Sequence, residues 1–208
     1  KRFDNFYIGG GEASQTSTCI LIDRHGFLWS GTDAGHYRYD GFKYEGYSLK
    51  KNGGYNAPVY FSCLYEDRDG DMWAGSKSGL IRVDQSSGSI LLIRPDSTVK
   101  TDRGNTIRSI NQASDGLLWI RTGKDIYSFD KKTLNFTRFE VDSLSWYGNR
   151  DDFLADQQCF LEDTRKNLWF ITNRGLYRAD ADTRIFRDVM PQLGSFGRNI
   201  VKSVNCIM

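Results

Sequence analysis

The chain has 208 residues and a net charge of +2, with basic and acidic residues interspersed along its length. This pattern argues against nucleic acid or an anionic membrane as a partner, and no apolar run reaches the ~18–20 residues of a membrane-spanning helix. Aromatic residues make up 14% of the sequence, and Gly (21 residues) far outnumbers Pro (3 residues). This composition favours short strands joined by tight turns, so we expect an all-β protein.

A tryptophan-centred unit recurs four times, in steps of 44, 46 and 50 residues. Each Trp is followed eleven residues later by an Asp: Trp29 and Asp40, Trp73 and Asp84, Trp119 and Asp130, Trp169 and Asp180. A hydroxyl residue lies three positions after each Trp, at Thr32, Ser76, Thr122 and Thr172. Four copies that share several offsets indicate a repeat protein.

Each unit has the same predicted plan of four strands. In the first copy an apolar strand, "CILID", leads through the turn "DRHG" to a second strand, "FLWSGT". The segments "HYRYD" and "FKYEGY" supply the third and fourth strands. Gly26, and Gly70 in the next copy, can adopt the positive φ of the first turn. Four antiparallel strands in about 40–50 residues are typical of a β-propeller blade, in which the repeated Trp packs between neighbouring blades.

The register predicts how the chain is divided. We expect four four-stranded blades and the first strand of a fifth, as part of a larger propeller of about seven blades. Open sheet edges in such a piece should favour self-association. The predicted segments are an N-terminal strand and lead-in over 1–16, blade 1 over 17–48, blade 2 over 59–95, blade 3 over 105–141, blade 4 over 155–190 and the fifth-blade strand over 200–208.

The four cysteines share one position of the repeat. Cys19, Cys63 and Cys159 lie ten residues before their Trp, Ser109 holds this place in the third copy, and Cys206 begins a fifth. This register predicts small packing residues on the first strand rather than disulfides or a zinc site. The segment "DRDGD" (67–71) is similar to part of a calcium loop but lacks its later ligands, so we interpret it as a hairpin turn and predict neither metal nor cofactor.

The segments "IDRHGFLWSGTDAGHYRYDGFKYEGY" and "YEDRDGDMWAGSKSGLIRVD" resemble the repeat of the two-component regulator propellers. The third copy departs from this repeat at Arg121 and Asp125, and the fourth at Lys166 and Ile171. The resemblance implies the periplasmic sensor region of a Bacteroidetes hybrid two-component system. Such a region binds an oligosaccharide and relays the signal to a histidine kinase. The kinase and membrane segments of such a system are not in this sequence. We expect this segment to bind no nucleic acid.

Candidate ligand-binding residues lie in the long loops between blades, which should share one face with the loops between second and third strands. Aromatic, amide and charged side chains together suit a sugar. The alternative is a loop that folds on its own aromatic residues, and Arg121 could equally pair with Asp125 instead of an anionic ligand. The candidates are Trp146, Tyr147, Asn149, Arg150, Tyr55, Asn56, Arg103 and Arg121.

Two other functions compete with a ligand sensor. A propeller enzyme similar to the streptogramin lyases would need a His near the axis, for which His36 is the conceivable residue. No nucleophile motif or second catalytic group accompanies it in the sequence, so we do not expect an enzyme. A scaffold that binds other proteins is the third hypothesis, and a large exposed apolar patch would favour it.

Overall fold

A computed structural model describes residues 17–32, 35–47, 60–86, 89–95, 105–122, 125–142, 160–171, 176–180 and 183–189. The predicted N-terminal strand (1–16) and fifth-blade strand (200–208) lie outside these residues. The chain divides into two compact units, Lys1–Arg94 and Pro95–Met208. No helix among the described residues is long and apolar enough to cross a bilayer.

The described residues form four sets of four antiparallel strands, which confirms the all-β prediction and is consistent with four blades. The first unit contains blades 1 and 2, and the second contains blades 3 and 4. Blade 1 comprises β1 (Ser17–Ile22), β2 (Leu28–Thr32), β3 (Gly35–Tyr39) and β4 (Tyr44–Tyr47). Blade 2 comprises β5 (Phe61–Glu66), β6 (Met72–Ser76), β7 (Gly79–Val83) and β8 (Ile90–Ile93). Blade 3 comprises β9 (Ile107–Gln112), β10 (Leu118–Thr122), β11 (Ile126–Asp130) and β12 (Asn135–Asp142). Blade 4 comprises β13 (Phe160–Glu162), β14 (Leu168–Ile171), β15 (Leu176–Asp180) and β16 (Ile185–Asp188).

Blades 3 and 4 are also joined edge to edge, which the sequence did not predict. The eight-residue strand β12 continues past its last pairing with β11, at Phe139. Its final residues, Glu140–Asp142, pair in parallel with Ile185–Arg187 of β16. The extra length of β12 therefore satisfies backbone groups that would otherwise form an open edge.

An Asp six residues before the Trp, buried in blades 1 and 2 and partly buried in blade 4, organises the first turn of these blades. In blade 2, Asp67 Oδ1 accepts hydrogen bonds from the backbone N–H groups of Asp69 (2.9 Å) and Asp71 (3.0 Å). Its Oδ2 accepts the indole N–H of Trp73 at 2.8 Å. The same indole bond joins Trp29 to Asp23 (2.7 Å) and Trp169 to Asp163 (2.9 Å). We call this arrangement the Asp–Trp clamp.

The turn closed by the clamp needs a positive φ three residues before the Trp. Gly26 and Gly70 adopt φ values of 85° and 89°, as predicted. Lys166 takes this position in blade 4 and adopts φ 64° itself, so the departure from the repeat leaves the turn conformation unchanged.

The Asp eleven residues after each Trp caps the turn between the third and fourth strands. Asp40 Oδ1 accepts the backbone N–H of Phe42 at 2.8 Å, and Asp130 and Asp180 accept equivalent bonds from their own turns. These backbone donors lower the pKa of each of the three carboxyl groups, Asp40, Asp130 and Asp180, below the usual range for Asp. The repeated Asp is therefore explained by turn formation.

In each unit, the repeat Trp of the first blade packs against the second blade. We call the side of a blade that carries its Trp the Trp face, and the other side the back face. In blade 1 the Trp face includes Leu21 and Trp29, whereas Ile20 points to the back face. Trp29 is fully buried against the back face of blade 2, which supplies Phe61, Met72, Ala74, Ile81 and Val83. Trp119 packs in the same way on blade 4, whose back face supplies Phe160, Leu168, Phe170, Tyr177 and Phe186. The predicted role of the Trp between blades is confirmed.

A polar staple accompanies each of these two interfaces. The backbone N–H and Nε of Arg24, in the first turn of blade 1, donate to the carboxylate of Glu66 on β5 at 2.8 and 2.6 Å. In blade 3 the backbone N–H and hydroxyl of Ser114 bond to Glu162 on β13 at 2.7 and 2.6 Å. The donor lies five residues before one Trp and the Glu seven residues before the next, so the repeat period sets the blade-to-blade register.

Cys19 and Cys63 occupy equivalent places on the first strands, opposite Gly31 and Gly75. Both are half-buried free thiols, and burial raises the pKa of Cys19. The other two cysteines lie outside the described residues.

Replacement of Asp67 by Ala should lower the free energy of unfolding by about 2–4 kcal/mol, because buried N–H donors lose a charged acceptor. Chemical denaturation measures this loss. The matched control is Asp115→Ala, since Asp115 in the corresponding turn of blade 3 is exposed and its Oδ1 accepts the N–H of Leu117. Equal losses for the two variants would contradict a special role for the Asp–Trp clamp.

Asp163 predicts a pH dependence of stability. Hydrogen bonds from Trp169 and Asn167 lower the pKa of Asp163 from 3.8 to about 2. Between these values the folded state binds fewer protons at this site than the unfolded state, so stability falls as the pH decreases from about 4 to about 2. The difference in Tm between the wild type and Asp163→Asn should shrink over this range. A difference that stays constant with pH would contradict the prediction.

Candidate ligand-binding site

One end of blade 3 carries the sequence-predicted residue that the structure describes, Arg121. We call this the loop end: β9 begins there at Ile107, β10 ends there at Thr122, and β12 ends there at Asp142. The segment 143–159 leads from the end of β12 to Phe160 of β13, so both of its attachment points lie at the loop end. The other predicted site residues, Trp146, Tyr147, Asn149, Arg150, Tyr55, Asn56 and Arg103, lie outside the described residues.

Arg121 lies on β10, two residues after Trp119 and on the same Trp face. Its side chain is 2% exposed, and its Cα partners on the neighbouring strands are Ser109 and Ile126. A buried guanidinium requires counter-charge or several hydrogen-bond acceptors. Arg121 therefore places a buried positive charge on the face of blade 3 that packs against blade 4.

Asp125, which precedes β11, is the alternative partner that the sequence suggests for Arg121. In the structure, Asp125 Oδ1 accepts hydrogen bonds from Arg138 Nε and Nη2 at 3.0 and 2.7 Å. The turn between β10 and β11 is closed separately: the backbone N–H of Asp125 donates to Thr122 Oγ1 at 2.8 Å, and the Thr122 hydroxyl donates to Asp125 O at 3.0 Å. The Asp125 carboxylate thus has a charge partner on the outer strand of the blade.

Arg121 occupies a position where blades 1 and 2 have Gly31 and Gly75 and blade 4 has Ile171. The equivalent residue of blade 1 is Gly31, where a Cβ atom would lie 2.5 Å from Cys19 Sγ and 2.9 Å from Phe61 Cβ of the next blade. An Arg at this position requires space between the blades that blade 1 does not have. The smaller Ser109 stands opposite Arg121, where Cys19 stands opposite Gly31.

Three further polar or small residues mark blade 3, and sequence reasoning did not identify them. Asn111 and Ser128 are the Cα partners of Trp119 on either side, and Ala113 replaces the clamp Asp. Asn111 stands where the other copies have Leu21, Tyr65 and Leu161, and Ser128 where they have Arg38, Arg82 and Arg178. A comparison of the copies at fixed offsets from the Trp would have revealed all three.

These substitutions place polar groups around the Trp119 ring in the buried contact of blade 3 with blade 4. Ser109 and Ser128 are buried, at 4% and 6% exposure. The Asn111 amide nitrogen, Nδ2, is buried and has no hydrogen-bond partner in the part of the chain that the structure describes. Together with Arg121 and the edge of Trp119, these groups offer hydroxyl, amide and guanidinium donors next to an aromatic ring. Sugars with an anionic substituent bind to such mixtures.

A concave region lies at one end of blade 2. This groove of about 570 Å³ is formed by the first turn of the blade and the turn between β7 and β8. Its polar groups bond to one another: Arg82 pairs with Asp71 at 2.8 Å, and Gln85 Nε2 donates to Gly70 O at 3.1 Å. We therefore favour the loop end of blade 3 as the candidate site.

Two sequence features bear on a metal site or a catalytic His. The described residues contain no group of three or more His, Cys, Asp or Glu side chains that could hold a metal ion. The segment "DRDGD" forms the clamp turn of Asp67, as interpreted from the sequence. His36 lies on β3 opposite Gly31, and the position of its side chain lies outside the described structure.

Residues 54–78 match the family model described as "Two component regulator propeller". The matched segment includes β5 and β6 of blade 2. No curated protein matches the sequence.

Solved structures with a similar fold are β-propeller proteins of several kinds. The extracellular domain assigned to hybrid two component system BT3049 of B. thetaiotaomicron matches with a TM-score of 0.58 and 18% identity, over 88% of this chain and 31% of that one. Virginiamycin B lyase of Staphylococcus aureus, in complex with quinupristin, matches with a TM-score of 0.58 and 15% identity, over 81% and 54%. PorZ of Porphyromonas gingivalis matches with a TM-score of 0.57 and 17% identity, over 86% and 27%. The chain thus spans about a third of the BT3049 domain, and these similarities establish the propeller fold.

A substitution at Gly31 tests whether blade 1 lacks the space for a side chain that blade 3 has at Arg121. Gly31→Ala should lower the free energy of unfolding by about 1–3 kcal/mol, because the added methyl group overlaps Cys19 and Phe61. The control is Gly46→Ala on β4, where the added atom would lie 3.2 Å from the Tyr37 ring in an exposed region. If Gly31→Ala were as stable as the control, blade 1 would already contain the space that we assign to blade 3.

Proposed function

We propose that this chain is part of the extracytoplasmic ligand-sensing region of a two-component signalling protein. Support comes from the family of its repeats and from the propeller fold that it shares with the BT3049 extracellular domain. The relay to a histidine kinase would depend on parts of the polypeptide outside this sequence. The proposed location is periplasmic.

The proposed ligand is an oligosaccharide derived from a glycan, bound at the loop end of blade 3. One observation carries this assignment: polar residues replace the repeat residues around Trp119 on a single buried face. Arg121 would hold a carboxylate or sulfate group through paired N–H donors, and Asn111 would donate to a hydroxyl. Trp146 and Arg150, in the segment attached at this end, would extend the surface.

We propose a non-catalytic role for the same surface. General acid–base catalysis requires titratable groups with matched pKa values at the reacting atoms. The polar groups around Trp119 are hydroxyl, amide and guanidinium groups, which are suited to binding rather than proton transfer. The similarity to virginiamycin B lyase, at 15% identity, extends to the fold alone.

Binding to a panel of oligosaccharides tests the proposal. Oligogalacturonides, sulfated host oligosaccharides and neutral arabino-oligosaccharides would be titrated into the chain, with tryptophan fluorescence and calorimetry as readouts. We expect saturable binding of an anionic class, weakened about tenfold or more in Arg121→Met, because a charge-assisted pair is lost. Trp146→Ala should weaken binding of the same sugar.

The control variant for this experiment is Arg138→Met. Arg138 is half exposed, lies on the other side of blade 3 and pairs with Asp125. It should leave the affinity unchanged. Equal binding by Arg121→Met, Arg138→Met and the wild type would remove Arg121 from the site, and the absence of binding to every sugar class would contradict the proposed ligand.

A further inference from the structure

The polar groups of the candidate site lie in a closed contact between two blades. Arg121 is 2% exposed, and Ser109 and Ser128 on the neighbouring strands are 4% and 6% exposed. The Trp119 ring beside them is surrounded by phenylalanine rings of blades 3 and 4. An oligosaccharide needs a cleft of several hundred Å³, which a packed contact of this kind does not offer. If the loop end of blade 3 binds a ligand, as proposed above, blades 3 and 4 must separate there first.

A row of four residues joins Arg121 to the outer strand of blade 3. The Cα partners across the sheet run from Ser109 on β9 through Arg121 on β10 and Ile126 on β11 to Phe139 on β12. Ile126 and Phe139 belong to the apolar cluster between blades 3 and 4. The row therefore lies on the Trp face, and it ends on β12 one residue before that strand pairs with blade 4.

Glu140, the next residue of β12, forms the first bond of the pairing with blade 4. Its backbone N–H donates to Arg184 O at 2.9 Å, and the parallel pairing continues over 140–142 and 185–187. Val141 within it packs on the apolar cluster between the two blades. A short ladder at the edge of a sheet opens more readily than strands in the packed core. We call the pairing of 140–142 with 185–187 the latch.

The two ends of blade 3 are fastened to blade 4 differently. The latch uses the last residues of β12, at the loop end, where Arg121 also lies. The staple between Ser114 and Glu162 uses the first turn of blade 3, at the opposite end. Release of the latch would therefore let the loop end of blade 3 separate from blade 4, while the staple holds the other end.

The contact between blades 1 and 2 is closed without a latch in the part of the chain that the structure describes. The described strands of these blades form two separate four-stranded sheets. At their loop end the Thr18 hydroxyl donates to Phe61 O of the next blade, and Gly31 leaves no space for a Cβ atom. The longer outer strand thus occurs in the pair of blades that contains Arg121.

We propose that the latch controls access to the candidate site. With the latch paired, as in the structure, Arg121 and Ser109 are shielded; when it opens, both become accessible to an anionic oligosaccharide at the loop end. Because only the open form binds, the apparent Kd equals the intrinsic Kd divided by the open fraction. A substitution that weakens the latch should therefore tighten binding, although it changes no residue of the site. The ligand in this inference rests on the proposed function, whereas the opening itself is measurable without a ligand.

Thiol labelling at position 109 measures the opening. The substitution is Ser109→Cys, and this place of the repeat already holds Cys19 and Cys63 in blades 1 and 2. The full chain would be treated with N-ethylmaleimide, and peptide mass spectrometry would give the labelling rate at each position. Adding Glu140→Pro should speed labelling at position 109 about tenfold, because proline cannot donate the hydrogen bond to Arg184 O.

Two controls separate the latch from other effects of the substitution. Glu140→Ala keeps the backbone N–H and removes only an exposed side chain, so labelling at position 109 should keep its rate. Cys19, which packs in the contact between blades 1 and 2, should keep its labelling rate in every variant. Equal rates at position 109 for Glu140→Pro and Glu140→Ala would overturn the latch.

Near-UV circular dichroism and Tm establish whether Glu140→Pro folds, and hydrogen exchange of the wild type tests the latch if it does not. The Glu140 amide should exchange faster than the paired amides of β10, since the latch opens without unfolding of the blade. Equal protection of these amides would overturn the proposal.

Binding measurements connect the latch with the site. For the oligogalacturonides or sulfated oligosaccharides that the wild type binds, the Kd should fall in Glu140→Pro by the same factor as labelling at position 109 rises. An unchanged Kd together with faster labelling would overturn the role of the latch in ligand access. Faster labelling without binding of any sugar would support the latch and contradict the proposed ligand, so the two failures are distinguishable.

Discussion

The hydrogen bond between an aspartate and a tryptophan indole, buried in blades 1 and 2 and partly buried in blade 4, is the interaction on which these three blades depend. One carboxylate oxygen holds the backbone of the first turn, and the other fixes the orientation of the indole. Because the indole of blade 1 forms the centre of the contact with the next blade, the geometry of a local turn determines that of a long-range interface. A charged acceptor in a desolvated site makes this coupling strong, because hydrogen bonds to a carboxylate are stronger than those to a neutral acceptor.

Blade 3 shows what happens when the clamp is absent. Ala113 replaces the Asp, and Trp119 is surrounded by the rings of Phe139, Phe160 and Phe186, with centroids at 4.7, 6.3 and 5.8 Å. Aromatic packing supplies the interface that blade 1 builds around a clamped indole. The same blade concentrates the polar substitutions on its Trp face. Departures from a repeat rule that share one surface are the expected signature of function rather than of fold maintenance.

The sequence predicted the parts of this structure that depend on local spacing. Offsets from the Trp located the strands and the positive φ of Gly26, because turns and strand alternation are encoded within a few residues. The parallel pairing of β12 with β16 and the Arg24–Glu66 staple escaped prediction, since both join residues more than 40 positions apart. For the site, Arg121 was identified by its departure from the repeat, but its burial against blade 4 follows only from the three-dimensional packing. The ligand-binding role of the loop residues around Trp146 stays a prediction.

The position of the candidate site suggests how binding would reach the rest of the molecule. Arg121 and Asn111 lie on the face of blade 3 that packs against blade 4, so a ligand there would contact an interface rather than an isolated blade. Its binding energy would change the relative stability of two blade arrangements only if it bound one of them more tightly. A ligand bound there would therefore act on the packing of Trp119 against the back face of blade 4.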